Sequence, residues 1–189
     1  FGEAPKFPSA MSLSFLLRYQ NRAEKHTSLN MIKLSLEKMA QGGIYDQLGG
    51  GFHRYSVDKK WLVPHFEKML YDNALLPKAY LEAYQVTGNP YYKEIVEETL
   101  DWVKHEMLDK SGGFYSAQNA DSEGEEGKFY VWTPTEVEAS LGKKNAQIFC
   151  DYFDVSSGGN FEGKNILHHQ QDLTSLAKSL GVSPGNLKQ

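Results

Sequence analysis

Residues 42–73 read GGIYDQLGGGFHRYSVDKKWLVPHFEKMLYDN. The segment holds five glycines, two histidines, one tryptophan and three tyrosines, too much glycine and charge for plain core. Two readings of it are open. In one it is a long loop that caps helix ends, and its aromatics are structural. In the other it lines a concave site for a polar, sugar-like molecule. Both flanks are helical. Upstream, Leu29, Ile32, Leu36 and Met39 recur at steps of three and four, an amphipathic stripe. Thr27 or Ser28 is placed to cap that helix. Gly42-Gly43 ends it, since glycine accepts the left-handed backbone of a helix terminus. Before it, Ser9 opens a first helix to about Arg22, with Leu13, Leu16, Leu17 and Gln20 marking the spacing. FGEAPKFP (1–8) is an irregular opening segment. Within the quoted stretch, residues 52–61 alternate weakly, as a short hairpin would, and Pro64 breaks the chain. A helix resumes at about Phe66, with Leu70, Ala74, Pro77, Leu81 and Tyr84 in step. Pro77 marks a kink or a fresh start.

Thr87-Gly88-Asn89-Pro90 stops that helix and starts a fourth, Tyr91 to Met107, whose apolar face is Val96, Leu100, Val103 and Met107. DKSGG (109–113) ends it. A second polar stretch runs from Phe114 to Trp132, with KFYVWT as a short strand. GGFYSAQNA at 112 echoes GGIYDQLGG at 42. Each follows two helices, the recurrence that helical-hairpin repeats produce. Thr133, Pro134 and Glu136 form a capping box with proline in the first turn. The helix they open ends near Leu141-Gly142. Another covers 143–153, SSGGNFEGKN (156–165) is a loop, and Leu173, Leu176, Ala177 and Leu180 mark a last helix. The fold class is therefore mainly α, built of α/α hairpins with short β excursions.

Composition narrows the function. A net charge of -4 and no basic block exclude a nucleic-acid surface. One cysteine, Cys150, cannot form an internal disulfide; AQIFCDYF places it in a buried helix. No apolar run has the length of a membrane span and no signal peptide opens the chain. Together these imply a cytoplasmic protein with no membrane partner. The chain opens on Phe-Gly-Glu without a methionine, which reads as a processed form or a piece of something longer.

The side chains that could carry chemistry form two sets. The first is Asp46, His53, Arg54, His65, Glu67 and Asp72. Glycoside cleavage needs paired carboxylates across a cleft. Epimerisation or isomerisation of a sugar needs a base and an acid with pKa values near neutrality, the province of histidine. The structural alternatives are Asp46 capping a turn, His65 bonded to backbone and Glu67 capping a helix. The second set is Asn119, Asp121, Glu123, Glu125 and Glu126. Its ADSEGEEG core is a solvated hairpin tip without the spacing of a calcium loop. Asp121 is kept because its offset from the glycine pair approximates that of Asp46. HFEKM lacks the second histidine of a zinc-protease helix, and GGG at 49–51 precedes no GKS or GKT. No metal and no cofactor are expected. The candidate acid/base groups are thus His53, His65, Glu67 and Asp121, expected to gather at one cleft. The candidate binders are Asp46, Arg54, Tyr55, Trp61, Tyr71 and Asp72, with Trp61 stacking on a sugar face.

The quoted stretch, together with APKFP at 4–8, SAQNADSEGEEGKFYVW at 116–132 and NFEGKNIL at 160–167, resembles the spermatogenesis-associated protein 20 family of thioredoxin-domain-containing proteins. The resemblance spans most of the chain. It implies a thioredoxin-like domain preceding this chain in a longer parent, followed by a toroid like that of six-hairpin glycosidases and N-acylglucosamine 2-epimerases. Residues 1–189 would then be part of an (α/α)6 toroid, with no CxxC motif of their own. Where relatives read DAD, this chain has Asn119-Ala120-Asp121, which removes one carboxylate and leaves Asp121. The implied function is binding or conversion of carbohydrate in a cleft lined by the 42–73 and 114–132 loops. The alternative is a non-catalytic scaffold for the thioredoxin-like neighbour. Helices that should meet the missing half would expose apolar stripes, calling for a homodimer or the remainder of the parent.

Overall fold

The computed structural model describes residues 3–23, 26–169 and 173–180. Gly2, Glu24-Lys25 and the tail after Leu180 lie outside them. The described chain is mainly helical with short strands, packed as two units, residues 1–129 and 130–189.

In the first unit α1 (Ala10–Ala23) packs on α2 (His26–Gln41), and α3 (Leu70–Thr87) packs on both α1 and α4 (Pro90–Trp102). Each glycine pair, at 42 and at 112, follows one of these helix pairs, as the recurrence in the sequence implies. Leu13, Leu17, Ile32, Leu36, Met39, Tyr80, Tyr92 and Ile95 form the shared core. The tyrosines bring polar tips inside and satisfy them: Tyr80 donates to the Leu36 carbonyl at 2.8 Å and Tyr92 to Glu37 at 3.1 Å. Gly42 lies so close to the Trp61 carbonyl that a Cβ would stand 2.2 Å from its oxygen. Only glycine lets the 61–63 backbone cross the end of α2 there.

Several expectations shift. The helix read from about Phe66 begins at Leu70, because 68–69 pair as a strand. Thr27 and Ser28 lie inside α2, which starts at His26. Helix α3 continues unbroken past Pro77, so no new helix starts there. Its buried side is Asn73, Leu76, Pro77, Ala79, Tyr80 and Ala83, whereas Ala74 and Leu81 face outward. A polar residue, Asn73, holds an inner position, which shifts the buried face from the apolar spacing. In α4 the buried residues are Tyr92, Ile95, Val96, Thr99 and Trp102, and Leu100 is exposed. A π-helical turn over Val103–Met107 adds a residue to the repeat and returns Met107 to the core.

Among the described residues, four two-stranded ladders decorate the helices. β1 (Tyr55–Ser56) pairs with β2 (Pro64–His65), so Pro64 belongs to a strand instead of breaking one. β3 (Lys68–Met69) pairs with β4 (Ala117–Gln118), Lys68 opposite Gln118. β5 (Asp121–Ser122) and β6 (Glu125–Glu126) form a hairpin. Its turn residues Glu123 and Gly124 both have positive φ, 54° and 80°, as the tightest hairpin turns require. Lys6 adds a bridge to Ser56.

In the second unit β7 (Val131–Trp132) pairs with β8 (Asn165–Ile166). The Thr133–Glu136 capping box opens α5 (Pro134–Phe153) as expected. Gly142, at φ 73° and ψ 157°, interrupts that helix where the sequence places a break. Val137, Ala146, Val155 and Leu167 form its core, with Cys150 packed against them and its thiol pushed up by burial. Asn165 ties Ser156 to Trp132 through its amide. In α6 (Leu173–Leu180), Leu176 and Ala177 are buried.

Asn73 is the clamp that holds the quoted stretch to α3. Its Oδ1 accepts from the Phe52 amide at 2.6 Å, and its Nδ2 donates to the Phe52 and Met69 carbonyls, both at 2.9 Å. The residue is fully buried, so truncation orphans several backbone groups at once. Asn73→Ala is expected to cost about 3 kcal/mol of unfolding free energy in urea melts, and Asn73→Asp nearly as much.

Candidate functional site

His65 stands at the centre of the polar cluster that the quoted stretch builds. The β1–β2 register sets Tyr55 opposite His65, and their rings stack with centroids 5.1 Å apart and planes within 20°. Phe7 continues the row, 4.8 Å from Tyr55. His65 and Glu67 are two residues apart on extended chain, so both project from the same side. Glu67 Oε2 lies 3.9 Å from His65 Nε2, beyond hydrogen-bond range, and 3.0 Å from Arg54 Nη1. Arg54 also bonds Tyr71, and these two partners, Tyr71 first, raise its pKa. Asp72, in the first turn of α3, faces Arg54. Burial raises its pKa to about 6, and the Arg54 charge opposes that shift.

The second carboxylate on His65 is Glu126, whose Oε1 sits 2.7 Å from Nδ1. The β3–β4 pairing carries residues 117–127 alongside 64–69. Gly127, at φ 73°, lies flat on the Phe66 ring, where a Cβ would come within 2.4 Å of it. That close approach is what lets the preceding residue reach His65. Asp121 pairs across the hairpin with Glu126 and is exposed; its amide donates to Asn119 Oδ1 at 3.2 Å. The β3–β4 register, and not the offset from the glycine pair, separates Glu126 from its neighbours.

Beneath this cluster lies a second, buried one. Lys68, 1% exposed, donates to Asp46 Oδ2 and to the Gly50 carbonyl, both at 2.8 Å, and lies over the Trp102 ring. Asp46 also accepts from the Leu48 and Gly49 amides. Burial opposes its charge, but Lys68 and the Gly49 amide outweigh it and hold Asp46 below the usual carboxylate range. Burial pulls the Lys68 pKa down and Asp46 pulls it back. His53 is buried too, its Nδ1 2.9 Å from the Phe66 carbonyl. Desolvation, then the Lys68 charge, depress its pKa to about 3, so the ring stays neutral.

The structure thus brings Arg54, Tyr55, His65, Glu67, Tyr71 and Asp72 to one surface, with Asp121 across the hairpin from Glu126. It sets Asp46 and His53 in the interior below. Trp61 lies apart from both. Its backbone is left-handed at φ 67°, its carbonyl accepts from Ile44, and its ring is buried with the Lys6 ammonium 4.3 Å from its centroid. The aromatic face beside His65 is Tyr55's. Among the described residues no cluster of histidine, cysteine and carboxylates has a metal-binding arrangement, and no helix is long and apolar enough to cross a membrane.

No family model matches the chain. It is 38% identical to human spermatogenesis-associated protein 20 over 211 residues, covering 96% of this chain. The chain is a homologue of that protein. The mouse protein is 37% identical over the same length. An uncharacterized protein of Caenorhabditis elegans is 40% identical over 218 residues and all of the chain. These homologues are much longer: the chain spans 27% of the human protein and 30% of the nematode one. Among solved structures, it is similar to a sugar epimerase from a ruminal bacterium, with a TM-score of 0.53 over 95% of this chain and 40% of that one at 14% identity. It is also similar to D-mannose isomerase, with a TM-score of 0.52 over 58% of this chain and 28% of that one at 17% identity. The helical-hairpin architecture expected from the sequence is thus shared with these proteins.

Two substitutions probe the clusters. Lys68→Met strands the buried Asp46 carboxylate and is expected to cost about 3 to 5 kcal/mol by denaturant unfolding. Adding Asp46→Asn should restore part of the loss, since the amide oxygen still accepts from Leu48 and Gly49. Asp72 works through pH. Its folded pKa is raised, so its stabilising effect is full below about pH 4 and is lost as pH rises through about 6. Asp72→Asn should remove that slope. At pH 7 the variant should equal or exceed the parent by about 1 kcal/mol, a figure discounted for the partial solvent contact of the group.

Proposed function

We propose that the His65 surface binds a sugar and moves a proton on it, within a domain that forms part of an (α/α)6 toroid spanning residues 1–189. The observation that carries this reading is the clasp on His65. A carboxylate only accepts, so Glu126 keeps the proton of the neutral ring on Nδ1 and leaves a lone pair on Nε2. The ring is about a third exposed, backed by Tyr55. Such a nitrogen can take a proton from the carbon beside an open-chain sugar's carbonyl. It can return that proton to the carbonyl carbon while the hydroxyl proton passes to the former carbonyl oxygen, which isomerises the sugar; epimerisation would take a second acid on the opposite face of the same carbon. Arg54 would stabilise the oxyanion formed in between. Tyr71 offers a ring face to the sugar's C–H side, Tyr55 holds the imidazole from its place between Phe7 and His65, Glu67 and Asp72 offer acceptors to the hydroxyls, and Asp121 lies at the rim. Glu67 and Glu126 are engaged by Arg54 and His65, which favours histidine chemistry over a paired-carboxylate glycosidase. The names of the two similar solved proteins, an epimerase and an isomerase of sugars, agree with that choice.

A second reading has its own support. Asp46, Glu67 and Glu126 each already hold a cation or histidine of the same chain. A scaffold whose charges only lock its loops would look the same. Binding and turnover of unmodified and phosphorylated sugars by the longest polypeptide that carries this chain decide between them. The enzymatic reading expects at least one sugar to bind and exchange its carbon-bound proton with deuterated water, with His65→Ala lowering exchange at least a hundredfold and Glu126→Gln about tenfold. No sugar bound, or exchange unchanged in His65→Ala and Glu67→Gln, leaves the scaffold.

A further inference from the structure

The carboxylates around His65 are not equally engaged. Glu67 bonds Arg54 and Glu126 bonds His65, while Asp121 is exposed on its hairpin. Asp72 is half-buried, and among the described residues it makes neither a hydrogen bond nor an ion pair. An acid in the first turn of a helix commonly caps the free amides there. At α3 the strand ladder serves instead: the Leu70 amide donates to the Ser116 carbonyl at 3.0 Å, and no side chain caps at Met69. Nor is Asp72 drawn into a salt bridge. Arg54 faces it, but the guanidinium bonds Glu67 and Tyr71, and among the described residues its buried Nε has no acceptor. Glu67 Oε2 lies 3.0 Å from Arg54 Nη1 and 3.9 Å from His65 Nε2. The group that faces Asp72 therefore stands one carboxylate oxygen away from the imidazole lone pair.

We infer that Asp72 is the second proton carrier of this site, moving a proton between two neighbouring oxygens of the sugar during isomerisation. The inference rests on the reading of His65 as the carbon base. Isomerisation relocates two protons, one from carbon to carbon and one from oxygen to oxygen, and a single imidazole nitrogen serves only the first. In the first half-reaction Nε2 takes the proton of the carbon beside the carbonyl. The C–H pair becomes a carbon–carbon double bond, the carbonyl π pair moves to oxygen, and that oxygen takes the Asp72 proton. This leaves a neutral enediol, an imidazolium and an Asp72 carboxylate. In the second half the carboxylate takes the proton of the neighbouring hydroxyl, whose O–H pair closes the new carbonyl. The double-bond pair takes the proton back from Nε2 at the former carbonyl carbon, and both groups return to their starting states. Arg54 stabilises the Asp72 carboxylate at the half-way point. A partly desolvated, unbonded carboxyl suits the part, because it keeps its proton closer to neutrality than an ordinary one.

The test follows two rates in the longest polypeptide that carries this chain, with D-glucose, D-mannose and their 6-phosphates as probes. One is uptake of carbon-bound deuterium from deuterated water; the other is conversion of aldose to ketose. Asp72→Asn should lower conversion about a hundredfold or more and exchange less than about tenfold, because the carbon base is intact. Asp72→Glu should recover at least about tenfold of the lost conversion. In the parent, kcat/KM for conversion should fall as pH rises through about 6, where Asp72 gives up its proton, and Asp72→Asn should lack that limb. Arg54 is the charge that acts on Asp72, and among the described residues no titratable group of α1 or α4 does. Conversion within about threefold of the parent in Asp72→Asn, equal losses of conversion and exchange, or a limb that survives the substitution overturns the role of Asp72 and leaves His65 standing. Exchange absent from the parent, or unchanged in His65→Ala, removes the reading of His65 and this inference with it.

Discussion

A buried ammonium holds the first unit together. Lys68 is nearly inaccessible, yet it reaches three elements at once: the Asp46 carboxylate and Gly50 carbonyl of the glycine-rich loop, and the Trp102 ring at the end of α4. Taking a lysine out of water is costly unless each of its protons finds an acceptor. That requirement fixes the loop's path, since Asp46 must turn inward and Gly50 must offer its carbonyl. Lys68 is also a strand residue. Its backbone pairs with Gln118, so the same residue that pins the loop below also sets the register of the polar hairpin above.

The site follows from that register. One residue of slippage between β3 and β4 would turn Gln118 and its successors to the opposite face. Glu126 would then leave His65. Asn73 does the corresponding work on the other side, gripping both backbone groups of Phe52 next to the buried His53. The chemistry-bearing surface is therefore carried on short strands with almost no ladder of their own, and buried polar side chains on helices hold them. Such sites are stiff where the clamps are and soft at the hairpin tips.

Much of this was legible in the sequence, and the reasons are local. Glycine pairs, the Thr133–Glu136 capping box, the Gly142 break and the Glu123-Gly124 turn are decided within a few residues. The closeness of His65 and Glu67 was not among them, because a helix was expected from Phe66 where the chain stays extended to Met69. What was illegible depends on distant partners. Asn73 reads as polar and so outward, until Phe52 supplies its bonds. Trp61 reads as a free aromatic, until a left-handed backbone folds it beneath Lys6. Leu100 reads as core, until a π-helical turn resets the helix phase after Trp102. Glu126 is one of four acids in six residues, and only a strand register set 58 residues earlier singles it out.

The acidic hairpin carries a thermodynamic consequence. It sets Asp121 directly across from Glu126, and Glu125 across from Ser122, so like charges adjoin on a ladder only two residues long. Alone, such a pairing is unfavourable. Its anchorage comes from the Lys128–Glu123 pair, the Gly127 contact with Phe66 and the Glu126 bond to His65. Any molecule that competes for Nδ1 removes one of these ties, and any strengthening of the tie makes Nδ1 harder to recruit while Nε2 stays open. Order in the hairpin and occupation of Nδ1 by another molecule are two legs of one cycle, and a free energy gained on one leg is lost on the other.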